Sequence, residues 1–240
     1  MEFRMGIQSY SLRGFDFEQA VAVTSELNLG YLEVYPGHLP PDRGRVVHAK
    51  GLLEKHGIRM IAYGVVHLTG DEGQTRPLFE FAREMGIEML SADPESSSFD
   101  LLDRLVGEFG VAIGIHNHGP GHRYADVRTI EEAIERHNES IGVCLDTGHL
   151  ARVGEDPIEA VYALKGRLHG VHLKDVDRDG RDVVVGTGVL DVEGFLKALE
   201  DIGFKGPMVL EYELQPEDPI PGISRSLEFV QARLRAYEGV

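Results

Sequence analysis

The chain has 240 residues, of which 42% are apolar, 8% aromatic and 27% charged, a balance that excludes a disordered chain and fits one large domain. Its formal net charge is −16. So acidic a surface excludes a general nucleic-acid binder, because phosphate backbones are held by lysine and arginine.

Short apolar runs alternate with helix-period stretches along the chain. Predicted strands and helices follow in order: strand Gly6–Tyr10, helix Asp16–Leu27, strands Tyr31–Tyr35 and Ile58–Val65, helix Arg76–Met85, strand Ile87–Ser91, helix Phe99–Phe109, strand Val111–His116, helix Thr129–Arg136, strand Ile141–Asp146, helix Pro157–Leu164, strand Leu168–Lys174, helix Val192–Ile202 and strand Pro207–Glu213. Glycines at 30, 57, 86, 110 and 203 precede the next strand or its first residues, where a left-handed residue ends a helix. Eight such units without a linker predict a single-domain (β/α)₈ barrel over residues 1–240.

Three strands carry a second signal, because strand side chains alternate between faces. Val111, Ile113 and Ile115 oppose Ala112, Gly114 and His116; Ile141, Val143 and Leu145 oppose Gly142, Cys144 and Asp146; Val171 and Leu173 oppose Gly170, His172 and Lys174. Bulk on one face, with small and then polar residues on the other, is the pattern of barrel strands that bury their outer face under helices and end in an active-site mouth. Six of the eleven histidines (His38, His67, His116, His118, His149 and His172) fall at or just beyond strand ends. Together with Asp146 and Glu211 they form a mixed nitrogen and oxygen donor set suited to one divalent ion such as Mn²⁺, Zn²⁺, Mg²⁺ or Co²⁺. Gln8, Tyr10 and Glu33 are further candidates for the mouth.

The single cysteine, Cys144, excludes an internal disulfide, the opening residues lack a signal-peptide pattern, and no run reaches the roughly 20 apolar residues that span a bilayer. A cytoplasmic enzyme is expected, with no membrane or nucleic-acid partner. Six lysines against eighteen arginines suit an ordinary acidic enzyme or one from a salt-adapted host. A homo-oligomer is compatible with a barrel that has no long insertion over its mouth.

Four segments, Asp146-Thr147-Gly148-His149, Val171-His172-Leu173-Lys174-Asp175, Val185-Gly186-Thr187-Gly188-Val189-Leu190-Asp191 and Val209-Leu210-Glu211-Tyr212, stand in an order that resembles the xylose isomerase-like TIM-barrel superfamily of sugar phosphate isomerases and epimerases. The resemblance spans nearly the whole chain. It implies a metal held by Asp146, His172, Glu211 and a residue at the end of strand five, where this chain has His116-Asn117-His118. His116 is the favoured ligand and His118 the favoured acid–base group, with the reverse assignment open. His149 and Lys174 are implied near a small sugar or polyol substrate, and His38 and His67 are placed in the same mouth. Many epimerases carry a glutamate where His116 stands, so a symmetric pair of glutamates is lost. The implied chemistry is proton transfer next to a carbonyl through a metal-stabilised enediolate, with Glu211 and His118 as the proton-transfer groups. That chemistry serves an isomerase or epimerase, with a lyase or dehydratase acting on a keto-inositol or 3-keto-glycoside as the alternative. An endonuclease and an inactive sugar-binding barrel are the remaining readings.

Overall fold

The structure, a computed structural model, describes residues 3–238. Strands β1 (Arg4–Gln8), β2 (Tyr31–Val34), β3 (Arg59–Leu68), β4 (Met89–Pro94), β5 (Ala112–His116), β6 (Ile141–Asp146), β7 (Leu168–Leu173) and β10 (Pro207–Leu210) close into a parallel barrel in the order β1-β10-β7-β6-β5-β4-β3-β2. Two-residue strands β8 (Asp175–Val176) and β9 (Asp182–Val183) form an antiparallel hairpin beyond β7 that the sequence pattern did not foretell. Around the barrel run α1 (Phe17–Glu26), α2 (Val46–Lys55), α3 (Glu72–Met85), α4 (Phe99–Phe109), α5 (Val127–Ile134), α6 (Thr147–Arg152), α7 (Pro157–Ala163), α8 (Val192–Asp201) and α9 (Ile220–Glu238). Among the described residues, no helix is long and apolar enough to cross a membrane.

Aspartates begin most of these helices. Asp16, Asp71, Asp126, Asp156 and Asp191 each accept a backbone N–H of the first turn, and Asp16 completes a capping box with Gln19. Gly57, Gly86, Gly110 and Gly203 adopt the left-handed conformation expected of them. At the first helix that position falls to Asn28 (φ 57°) rather than Gly30, since asparagine tolerates it and the chain has two more residues to travel before β2.

The alternation read from the sequence is borne out. Ile113, Ile115, Val143, Leu145, Val171 and Leu173 belong to the large apolar layer between barrel and helices, whereas Ala62, Met89 and Cys144, with Ala112 against them, form a separate small cluster. Glycines complete that cluster. A Cβ on Gly114 would sit 2.8 Å from Met89 Sδ, and one on Gly170 would sit 2.6 Å from Met89 Cε. One methionine therefore fills the barrel axis because the facing positions have no side chain.

Two strands end two or more residues earlier than predicted. β1 stops at Gln8, whose Oε1 accepts the Tyr10 N–H at 3.0 Å and turns the chain into a short 3-10 segment, Ser9–Leu12, so Tyr10 is not a strand residue. β10 stops at Leu210, and Glu211 follows it, with its N–H still donated to Leu173 O at 3.1 Å.

Candidate metal centre and its pocket

Asp146 closes β6 and simultaneously caps α6. Its Oδ1 accepts the His149 N–H at 2.6 Å, which leaves Oδ2 turned away from the helix toward the Lys174 ammonium, 3.2 Å away. The Thr147 hydroxyl donates to Lys174 O at 2.6 Å and accepts the Lys174 N–H at 2.9 Å. A Cβ on Gly148 would lie 2.8 Å from Lys174 Cγ, so the glycine lets the lysine side chain pass. The start of α6 after β6 and the chain just past β7 thus lock together through Thr147, Gly148 and Lys174. Asn117 does the same between β5 and β6: its amide accepts the Asp146 N–H at 2.7 Å and donates to Asp146 O at 2.9 Å. Its neighbours His116 and His118 point into the mouth.

His116, Asp146, His172 and Glu211 are all buried, and each offers one ligand atom within 4.8 Å of the others. His172 is fully buried between two carboxylates, with Nδ1 3.2 Å from Glu211 Oε2 and Nε2 2.9 Å from Glu33 Oε2. Burial works against charge on His172, but Cys144, Glu33 and Glu211 outweigh it and hold its pKa well above the usual imidazole value. Lys174 brings its ammonium 3.2 Å from Asp146 Oδ2 and 3.1 Å from Glu211 Oε2, and also hydrogen-bonds Glu213. Burial raises the carboxyls of Asp146 and Glu211; Lys174 opposes it in both, so Asp146 stays well below the usual range and Glu211 falls to about 2.

His116 is different. It is 3% exposed, yet neither ring nitrogen has a hydrogen-bond partner, and its Nε2 lies 3.6 Å from Asp146 Oδ2 and 4.0 Å from Glu211 Oε2. Buried polar atoms are rarely left this way, since each costs about 1–3 kcal/mol. Two imidazoles and two carboxylates converging on a His116 whose nitrogens have no protein partner fit a divalent ion, which would take the lone pair of one of those nitrogens.

Above the cluster opens a pocket of about 350 Å³ lined by Gln8, Tyr10, Tyr35, Pro36, Gly64, Val65, His116, His118, His149, Glu211 and Glu213. Tyr10 and Tyr35 meet edge to face at 5.3 Å and form an aromatic wall. The His118 ring lies 4.7 Å from that of His116, 5.8 Å from that of His149 and stacked 4.4 Å from that of His122. Burial and the neighbouring histidines lower His118 to about 3, and burial lowers His149 to about 4 despite Asp146. Arg152 donates from Nη1 to His149 Nδ1 at 2.9 Å while its other nitrogens hold Gly180 O and Asp182 on the hairpin. Arginine cannot accept, so neutral His149 carries its proton on Nε2.

The structure does not bring every predicted residue to the pocket. His38 lies behind Tyr35, ring to ring at 4.6 Å, with Nε2 3.0 Å from Phe15 O. His67 is half exposed at the end of β3, beside Asp93 and Glu95. Asp175 does not pair with Lys174: its carboxylate accepts the N–H groups of Val176, Gly186, Gly188 and Leu190 at 2.9–3.0 Å and shapes the Gly-Thr-Gly loop. Ser91, Arg152, Tyr35 and Glu213 were not foreseen at the site, and Glu33 was foreseen only as part of its rim.

Comparison with known proteins agrees with this architecture. The family described as "Xylose isomerase-like TIM barrel" matches residues 21–233. The chain belongs to that family. Among curated proteins, it is 27% identical over 192 residues to the rhizopine catabolism protein MocC of Rhizobium meliloti, covering 71% of this chain and 57% of that protein. It is 31% identical over 135 residues to an inosose dehydratase of Clostridium beijerinckii, covering 48% of this chain and 45% of the other. The matches thus span about half the length of these relatives. Among solved structures, D-psicose 3-epimerase of Clostridium cellulolyticum superposes with a TM-score of 0.80 at 14% identity, over 97% of this chain and 99% of that one. The 3-keto-D-glucoside 4-epimerase of E. coli does so at 0.76 and 16% identity, over 96% and 100%. At such identities these two establish the fold.

Proposed function

We propose that this chain is a divalent-metal-dependent isomerase or epimerase that moves a proton at the carbon next to the carbonyl of a small keto-sugar or keto-polyol. The observation that carries the reading is the unsatisfied His116 inside a converging His116, Asp146, His172 and Glu211 set. These four residues would hold the ion. A divalent cation bound there would polarise the substrate carbonyl and steady the negative charge that develops as the neighbouring proton leaves.

The chain's own groups supply the rest. Glu211 stands at the end of β10 and His118 just past β5, with β6 and β7 between them, so they approach substrate from different sides of the mouth. Glu211 is ionised and ready to accept a proton on its side; neutral His118 accepts one on the other. His149 presents Nε2–H to a substrate oxygen. The tyrosine wall suits the C–H face of a polyol ring, and Gln8 and Glu213 suit its hydroxyls. Lys174, the ammonium beneath this pocket, is already shared among Asp146, Glu211 and Glu213, which supports an uncharged substrate over a phosphorylated one.

A second reading, dehydration of a keto-inositol or elimination from a 3-keto-glycoside, draws on two observations. Histidine replaces carboxylate opposite Glu211, and inosose dehydratases are among the relatives. Incubation of the Mn²⁺-loaded protein in D₂O with ketoses, inososes and 3-keto-glycosides separates the two. Deuterium gained without loss of water or aglycone is the expected result. An enone or released aglycone establishes the second reading, and no exchange with any member of the panel defeats both.

A further inference from the structure

We infer that Glu33 is a positioning residue that fixes a proton of His172 on Nε2 and so makes Nδ1 the metal-facing nitrogen. The inference rests on the metal reading above, but its basis is a separate chain of hydrogen bonds whose direction can be followed from a backbone amide.

The Tyr10 N–H can only donate, and it donates to Gln8 Oε1 at 3.0 Å. The Gln8 amide is thereby oriented, and its Nε2 must face the other way, where it donates to Glu33 Oε1 at 3.0 Å and to Gly64 O at 3.1 Å. The Ser91 hydroxyl donates to the same Oε1. With that oxygen taken by two donors, the carboxylate turns Oε2 to His172 Nε2 at 2.9 Å. A carboxylate accepts, so Nε2 carries hydrogen; Nδ1, 3.2 Å from Glu211 Oε2, is protonated too while no ion is bound, and it is the nitrogen that would give up its proton to an ion, because Glu33 holds the one on Nε2. Gln8, Glu33, Ser91 and His172 are all at most 1% exposed, so no solvent competes for any of these bonds. A buried carboxylate held by three donors from β1, β4 and β7, and absent from the pocket lining, has positioning as its function; partners of this kind set the orientation and basicity of a ligating imidazole.

Glu33→Gln tests this without leaving a cavity. Gln8 Nε2 and Ser91 Oγ both need an acceptor, so the new amide must turn its oxygen to them and its NH₂ to His172. His172 Nε2 must then accept, and the remaining proton stays on Nδ1, where a metal would bind. Mn²⁺ titration by calorimetry should show binding weakened at least tenfold in Glu33→Gln, in line with losses of about 10–100-fold on removing such partners. The melting temperature of the metal-free variant should stay within a few degrees of wild type. Equal Mn²⁺ affinity in a folded Glu33→Gln protein overturns the inference.

Because a variant can misfold, ¹⁵N NMR of the Zn²⁺-loaded wild-type protein provides an independent reading. A protonated Nε2 and a metal-bound Nδ1 on His172 are expected, and the opposite assignment overturns the inference. If wild type takes up no divalent ion at all, the proposed metal chemistry fails. The inference then falls with it, whereas Mn²⁺ bound equally by wild type and Glu33→Gln overturns the inference alone.

Discussion

Replacing His116 with leucine should separate the two costs that this side chain embodies. Without metal, the buried imidazole leaves both ring nitrogens without partners, and leucine of similar size removes them. At about 1–3 kcal/mol for an unsatisfied buried polar group, and about 2–4 °C of melting temperature per kcal/mol in a chain this long, the metal-free variant should melt roughly 2–12 °C above wild type. With Mn²⁺ the effect reverses in kind. At a free concentration one hundred times its dissociation constant, the ion stabilises wild type by about 2.7 kcal/mol, or roughly 5–10 °C. If loss of one ligand weakens binding a hundredfold, the same Mn²⁺ stabilises the variant by only about RT ln 2, roughly 0.4 kcal/mol, near 1 °C. Differential scanning fluorimetry in EDTA and across an Mn²⁺ series reads both quantities. A variant less stable than wild type by about 1 kcal/mol or more in EDTA, or one that keeps the full Mn²⁺ shift, would refute the view that His116 is held unsatisfied for a metal.

Two other expectations concern the barrel and its histidines. Met89→Ala should cost about 2–5 kcal/mol, because Gly114 and Gly170 have no side chains with which to refill the axis; urea denaturation measures it, and a loss under 1 kcal/mol would mean that the interior collapses freely. In EDTA, stability should fall as pH drops from about 6.5 toward 4, because the unfolded chain takes up protons that folded His118 (about 3) and His149 (about 4) refuse. Their contribution is complete above pH 6.5 and lost as pH falls through those values, so His118→Gln should flatten the urea midpoint between pH 4.5 and 6.5, and an unchanged slope would count against the depressed value.

Most of the barrel was legible because period-two alternation is imposed by burial on every strand, and glycine stops are imposed by backbone sterics. His116, Asp146, His172 and Glu211 were legible for the same reason: each is a polar residue at the inward parity of an apolar strand or just beyond its end. The support beneath them was harder to read. Glu33 and Ser91 sit on strands distant in sequence, and only closure of the barrel brings Ser91, Gln8 and His172 to the Glu33 carboxylate. Glu33 did leave a trace, a charged residue between Leu32 and Val34. Arg152 left none, since an arginine at the end of a short helix reads as solvated until the hairpin supplies Gly180 and Asp182. His38 shows the converse, a histidine past a strand end whose ring packs behind Tyr35 instead of facing the pocket.

The Asp175 carboxylate carries a consequence for what can bind at this end of the barrel. Glycine-rich loops capture phosphate when their amides converge on open space, and the Gly186-Thr187-Gly188 segment has the composition for it. Here the amides of Gly186 and Gly188 are already donated to a negative charge from the chain itself, with those of Leu190 and Val176 beside them. An incoming anion would have to evict a buried, covalently tethered competitor of its own sign. The loop is therefore self-liganded, and its glycines serve to let the backbone wrap an internal carboxylate: a Cβ on Gly188 would fall 2.3 Å from Asp175 Oδ1.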